Sequence, residues 1–318
     1  MFLTTSLLII GLILLVYGAD RLVYSAAVLS RSLGIAPWLI GCTVVSLGTS
    51  LPELMISVTA ALNHENDLAI GNIIGSNITN ILLIAGGAAL FRPIAFHSDI
   101  LRRELPLLLF ATALFGMLLA DNILSRRDCM ILLLAGIGYI AAVVNMSRPA
   151  LRSPDDSLTR QQMAELPRGG GNTVAALWLA LAFIIMPVSA HMVIDNAGVL
   201  ARQLGVGELV IGLTVVAVGT SLPELATVIA GALKGENDIA LGNLIGSNIV
   251  NSLLVLCVPA LLSPGPLDPL AVRRDYWVML AASIVLAAFC LRKHHRINSM
   301  MGGLLLGAFA AYLTVLFI

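Results

Sequence analysis

Charge is scarce in this chain of 318 residues: charged side chains make up 11% of it and apolar ones 58%. An ordinary soluble domain is about 25% charged and about 45–50% apolar. The shortage excludes a typical soluble enzyme. Lys and Arg number 18 and Asp and Glu number 18. No basic excess therefore favours nucleic acid, and no polyacidic tail is present. Cys42, Cys129, Cys257 and Cys290 lie far apart with no paired spacing, so they read as small apolar packing residues rather than a disulfide framework or zinc ligands. There is no HExxH, no aspartate-rich pair and no Ser/His/Asp set at one depth. The apolar run that opens the sequence lacks the basic stretch a cleaved leader wants, and is read as a first membrane helix.

What fills the chain instead is hydrocarbon. The mean hydropathy is +0.97, material for roughly nine or ten membrane spans at about 20 residues each. Apolar stretches fall near 3–28, 36–62, 68–90, 104–120 and 128–146, then near 174–200, 207–233, 239–262, 275–291 and 300–318. The expected fold is an all-α polytopic membrane protein of ten transmembrane helices. The longest polar interval, 148–172, carries Pro, Gly and charge and reads as a cytoplasmic linker between a first repeat (1–147) and a second (173–318).

Internal similarity organises those spans. Residues 41–84 and 212–255 align without a gap at a constant offset (224 − 53 = 171), and about 27 of the 44 positions are identical. Each half holds five spans. Five is odd, so the second half enters the membrane from the opposite face, giving an inverted-topology repeat. With the N-terminus outside, cytoplasmic loops carry about 12 basic residues, among them Arg92, Arg102, Arg103 and Lys234, and outer loops about five. That bias supports both termini outside, although Arg273 and Arg274 fall on the wrong side.

The chemistry sits in the repeats. Pro52 lacks an N–H and clashes with the carbonyl of Gly48, freeing it; Pro223 does the same to Gly219. A freed carbonyl in hydrocarbon demands another partner. Thr49, Ser50, Thr220 and Ser221 add oxygens at the same place, and Glu53 and Glu224 each put a carboxylate near mid-span. Such a charge costs several kcal/mol unless it faces a bundle interior or a wet path. On the next span, Asn72, Ser76 and Asn80 are spaced i, i+4, i+8 on one stripe, with Asn77 one residue aside; Asn243, Ser247, Asn251 and Asn248 repeat them. Gly71, Gly75, Gly242 and Gly246 are expected to permit close helix approach. Carboxylates beside amide and hydroxyl oxygens are hard ligands, suited to Na⁺ and Ca²⁺.

Each feature alone has a plainer reading. The proline is a kink, the small polar stripe is helix-packing glue, or the Glu belongs to a structural ion pair. The plain readings fail to explain why all three coincide twice, with no Lys or Arg in either repeat core. Glu65, Asp67, Glu236 and Asp238 lie at span ends and read as solvated caps or an ion-attracting vestibule. Asp20 aligns with His191, so no twofold pattern gives them a shared role.

The doubled GTSLPE and GNxIGSNIxN segments resemble the alpha repeats of the calcium/cation antiporter superfamily, in particular its bacterial sodium/calcium-exchanger-like inner-membrane proteins. The resemblance covers essentially the whole chain. It implies a secondary-active antiporter exchanging Ca²⁺ for Na⁺ by alternating access, with the ions and the bilayer as its partners, no cofactor, no obligate protein partner and no enzymatic activity. Glu53 and Glu224 would be the ligands shared by both ions. Thr49 and Thr220 would add carbonyl or hydroxyl oxygens, with Ser50 and Ser221 adjacent. Ser76 and Ser247 would complete flanking sodium sites, Asn80 and Asn251 the middle one, and the carbonyls of Ser46 and Ala217 the remaining positions. Family members often carry Asp where this chain has Asn251, so its two carboxylates match one Ca²⁺ or two Na⁺. Proton- or potassium-coupled exchange, and a cation channel, are the alternatives.

Overall fold

The computed structural model describes residues 2–33, 37–64, 66–95, 98–152, 171–203, 217–291 and 296–316. Every apolar stretch named above is helical over most of its described length. In chain order the helices are α1 (Phe2–Leu33), α2 (Pro37–Ile40), α3 (Ser46–Thr49), α4 (Leu51–Leu62), α5 (Asn66–Ile78), α6 (Gly86–Phe91), α7 (Ser98–Leu118) and α8 (Arg126–Arg152). They continue as α9 (Asn172–Gln203), α10 (Ala217–Thr220), α11 (Leu222–Lys234), α12 (Asn237–Val250), α13 (Cys257–Leu262), α14 (Tyr276–Cys290) and α15 (Ser299–Leu316). Most of the linker, 153–170, and the start of the seventh stretch, 204–216, lie outside the described residues. Five helices are long and apolar enough to cross a bilayer, or six when the bent pair Gly41–Thr49 and Leu51–Leu62 counts as one. The protein is therefore a helical, multi-pass membrane protein.

Three local rules shape the helices. In lipid every backbone group needs an internal partner, which favours helix throughout. Ser and Thr hydroxyls satisfy themselves on the carbonyl four residues back, as Thr112 does on Leu108, Ser189 on Ile185 and Ser283 on Met279. Left-handed residues then end α4 and α11 at matched positions: His64 with φ 61° and Gly235 with φ 82°.

Several helices also carry π turns, at Gly41–Val45, Thr79–Ala85, Asn251–Val255 and Ala271–Asp275. Two of them join α5 to α6 and α12 to α13, at matched places in the two repeats.

The chain divides into two compact units that cut across the sequence halves: residues 1–49 with 138–246, and 50–137 with 247–318. The boundaries fall at the break in the second stretch, within the fifth stretch at 137–138, and beside Ser247. In the first unit, α1 packs along α9, with Leu15, Ala19, Leu22 and Ala26 buried against Ala182, Met186 and Ala190. Gly11 and Gly18 let the pair close, since a Cβ at either would lie 2.9 Å from a side chain of α9. In the second unit, Gly86 and Gly302 cross so closely that a Cβ on Gly302 would meet the Gly86 carbonyl at 2.6 Å. Phe115 stacks on Tyr276, ring centroids 6.3 Å apart.

Two minimal antiparallel ladders tie loops of the second unit. β1 (Ile94–Ala95) pairs with β4 (Arg296–Ile297), and β2 (Ile123–Leu124) with β3 (Gly265–Pro266).

Candidate cation site

Both GTSLPE segments break their helix where the proline dictates. α3 ends at Thr49 and α4 starts at Leu51, with an axis change of 49°. α10 ends at Thr220 and α11 starts at Leu222. Ser50 and Ser221 are the turning residues, φ −82° and −85°, and their carbonyls accept Leu54 N–H and Leu225 N–H. Each glutamate therefore stands in the first turn of a new helix, at its positive end. The helix dipole puts partial positive charge at that end, and the preceding helix ends present carbonyls of the kind that take cations in broken membrane helices. Glu53 and Glu224 are both 0% exposed.

In the first unit lie Ser46, Thr49, Thr220, Ser221, Glu224 and Ala217. Thr49 Oγ1 donates to Asn243 Oδ1 at 3.0 Å and more weakly to the Ser46 carbonyl at 3.4 Å. Ser46 Oγ donates to the Cys42 carbonyl at 2.7 Å, and Tyr139 Oη reaches the same carbonyl at 3.1 Å. Gly246 makes room for this backbone. Ala217 begins α10.

In the second unit lie Ser50, Glu53, Ser76, Asn80, Ser247 and Asn251. Ser76 Oγ donates to Glu53 Oε1 at 3.4 Å, and Asn72 Nδ2 to the Glu53 carbonyl at 3.3 Å. Asn80 and Asn251 are wholly buried in the matched π turns. Among the described residues neither amide atom of Asn80 has a hydrogen-bond partner, nor does Asn251 Oδ1. A buried amide left so loses about 1–3 kcal/mol, which a bound cation would return at the oxygen.

Four buried polar side chains stand beside the expected ligand set without belonging to it. Asn72 and Asn243 were placed on the stripe but not in the ligand set, yet both bond directly to it. Ser57 and Thr227 stand one turn beyond the glutamates, buried, with hydroxyls that have no partner among the described residues. Their i+4 and i+3 spacing was the available signal. The glycines divide: Gly246 is a close-approach residue, whereas a Cβ at Gly71 would meet nothing within 4 Å. The ENDxA pairs divide too, Asp67 being exposed and capping Asp268 N–H at 2.7 Å while Asp238 is buried. Glu65 lies outside the described residues. Asp20 is ion-paired with Lys234 at 2.8 Å and Arg21 at 2.6 Å, and His191 Nε2 lies 3.3 Å from Asp195 Oδ2.

Buried, oxygen-rich turns recur on two broken membrane helices, an arrangement suited to binding cations, and comparison with known proteins gives the family. The profile of the sodium/calcium exchanger protein family matches residues 3–145 and 174–318. The chain belongs to that family and is a calcium/cation antiporter. It is 55% identical over 317 residues to inner membrane protein YrbG of Escherichia coli (strain K12), covering 100% of this chain and 98% of that one. It is 32% identical to the sodium/calcium exchanger MaX1 of Methanosarcina acetivorans, covering 98% and 97%. The solved structure of the sodium-calcium exchanger NCX_Mj soaked with 10 mM Na⁺ and 10 mM Sr²⁺ superposes with a TM-score of 0.83 at 30% identity, covering 98% of each chain. These likenesses place the protein in the inner membrane, in a family of transporters.

Proposed function

We propose that this protein exchanges Ca²⁺ for Na⁺ by alternating access, with Glu53 and Glu224 as the ligands over which the ions compete. The observation that carries the reading is the pair of fully buried carboxylates, each opening a helix behind a proline break in a duplicated motif. Two negative charges match one Ca²⁺ or two Na⁺. Both loads cannot be neutralised at once, so occupancy is exclusive and coupling follows. Thr49, Thr220, Ser50, Ser221, Ser76, Ser247, Asn80, Asn251 and the carbonyls of Ser46 and Ala217 complete the oxygen set. The family membership supports Ca²⁺ as cargo, and the likeness to MaX1 supports Na⁺ as its counter-ion.

The proposed frame is ten spans in two inverted repeats, 1–147 and 173–318, joined by a cytoplasmic linker at 148–172, with both termini outside. The loop ladders support it. β1 follows the third span, and its repeat equivalent, β3, follows the eighth. β1 pairs with the loop before the tenth span and β3 with the loop before the fifth. Six spans separate the first two loops and four the second two. Both counts are even, as partners on one face require, and the exchange of partners is what an inverted pair of repeats produces.

The test is ⁴⁵Ca²⁺ uptake into proteoliposomes loaded in parallel with Na⁺, with K⁺ or with a pH gradient. Uptake is expected only against Na⁺. Glu53→Gln or Glu224→Gln abolishes it while the protein still inserts. Undiminished exchange in both variants rejects the site; uptake driven only by K⁺ or protons rejects the coupling.

A further inference from the structure

Three buried side chains of the second unit, outside the proposed ligand set, are linked to the proposed ligand Asn251. Asn77 Nδ2 donates to Ser252 Oγ at 2.9 Å and to Met279 Sδ at 3.4 Å. Asn251 Nδ2 donates to Asn77 Oδ1 at 3.3 Å. All four residues are at most 2% exposed.

The order of atoms follows from what each group can do. A thioether sulfur accepts and never donates. The end of the Asn77 amide facing Met279 is therefore the NH₂, and its two hydrogens go to Met279 and Ser252. The Asn77 oxygen is then left facing Asn251 and can only accept. Asn251 must offer its NH₂ there, which turns its own oxygen away, to where it has no partner among the described residues. An amide presents a ligand oxygen from one end and a cation-repelling NH₂ from the other. Which end faces the ion is set here from Met279, two steps away.

The repeat shows that this is a device of one half. Displaced by the repeat offset (224 − 53 = 171), Asn251 and Asn77 match Asn80 and Asn248, but Ser252 matches Ile81 and Met279 matches Leu108. Both acceptors are missing there.

We propose that Met279 and Ser252, acting through Asn77, are positioning residues that hold the Asn251 amide oxygen toward the transported cation; this rests on the reading of Asn251 as a ligand. The readout is equilibrium ⁴⁵Ca²⁺ binding to the purified full-length protein. Met279→Leu with Ser252→Ala removes both acceptors, freeing the amides to rotate. Two equally populated orientations weaken apparent affinity about twofold, and a preference for the NH₂-forward one weakens it further, to about tenfold. In an Asn251→Asp background the same pair of substitutions changes affinity by less than a factor of two, because a carboxylate has two equivalent oxygens and needs no orienting. An equal loss in both backgrounds means the residues only pack, and no loss in either means they do not orient; each overturns the proposal. Asn251→Leu tests the underlying reading separately: unchanged binding there removes Asn251 from the site. Should the double variant fail to insert, Met279→Leu alone is compared in the two backgrounds, with about a twofold loss expected only with Asn251.

Discussion

Replacing Gly246 by alanine puts a methyl carbon 2.7 Å from both the Cα and the carbonyl oxygen of Cys42, and 2.9 Å from Ser46 Oγ. Two of these atoms are backbone and cannot swing aside. Reaching ordinary contact at 3.4 Å requires α12 and the 41–46 segment to part by about 0.7 Å (3.4 − 2.7 = 0.7). The bond between Thr49 Oγ1 and Asn243 Oδ1, now 3.0 Å, spans the same two elements. Stretched by that amount it passes beyond hydrogen-bonding range. Overpacking of this kind costs about 1–3 kcal/mol, and the lost bond adds about 1 kcal/mol. Gly71→Ala is the control: it stands on α5 in the other repeat, a methyl there meets nothing within 4 Å, and helix propensity favours Ala by roughly 0.5–1 kcal/mol. Thermal unfolding of the purified protein in detergent, followed by Ca²⁺ uptake, separates the two. Gly246→Ala is expected to lower the midpoint by several degrees and weaken uptake, while Gly71→Ala does neither. Identical midpoints for the two variants would refute the packing argument and its link to Thr49.

Thr49→Val removes the hydroxyl shared with Asn243 and the Ser46 carbonyl. A destabilisation of about 1–2 kcal/mol is expected, with weaker Ca²⁺ binding restored by Thr49→Ser; failure of serine to restore it would move the role to the threonine methyl. Lys234→Met opens the contact with Asp20, whose side chains are 29% and 35% exposed. At that exposure the pair contributes about 0–1 kcal/mol, and Arg21 still faces the carboxylate. Unfolding should therefore shift little, and a loss above about 2 kcal/mol would show the pair to be effectively desolvated.

The helices were legible because hydrocarbon leaves the backbone few choices, and hydropathy reports it. The breaks at Pro52 and Pro223 were legible because the missing N–H is a local fact. The stripe of Asn72, Ser76 and Asn80 followed from helical spacing alone. What sequence could not give was everything decided by a distant neighbour. Gly71 and Gly246 are the first and fifth residues of nearly identical heptapeptides, and only the atoms opposite show which of the two is a close approach. Asp20 pairs with its neighbour Arg21 but also with Lys234, more than 200 residues away. Asn77 looked like a residue set one position off the stripe; its use depends on Met279, a side chain indistinguishable in sequence from ordinary core. The π turns left no local signature either, since a widened turn answers to the packing around it.

Those widened turns have a consequence for how the chain can change length. Each is one surplus residue lodged inside a rod that otherwise advances about 100° per residue. Excising a residue between 251 and 255 would restore the regular winding but swing everything on one side of the cut by about 100° against the other. The same holds for 79–85. The loops between spans tolerate added or missing residues; at these two places the residue count itself is part of the geometry, and Asn80 and Asn251 keep their bearing only while it is preserved.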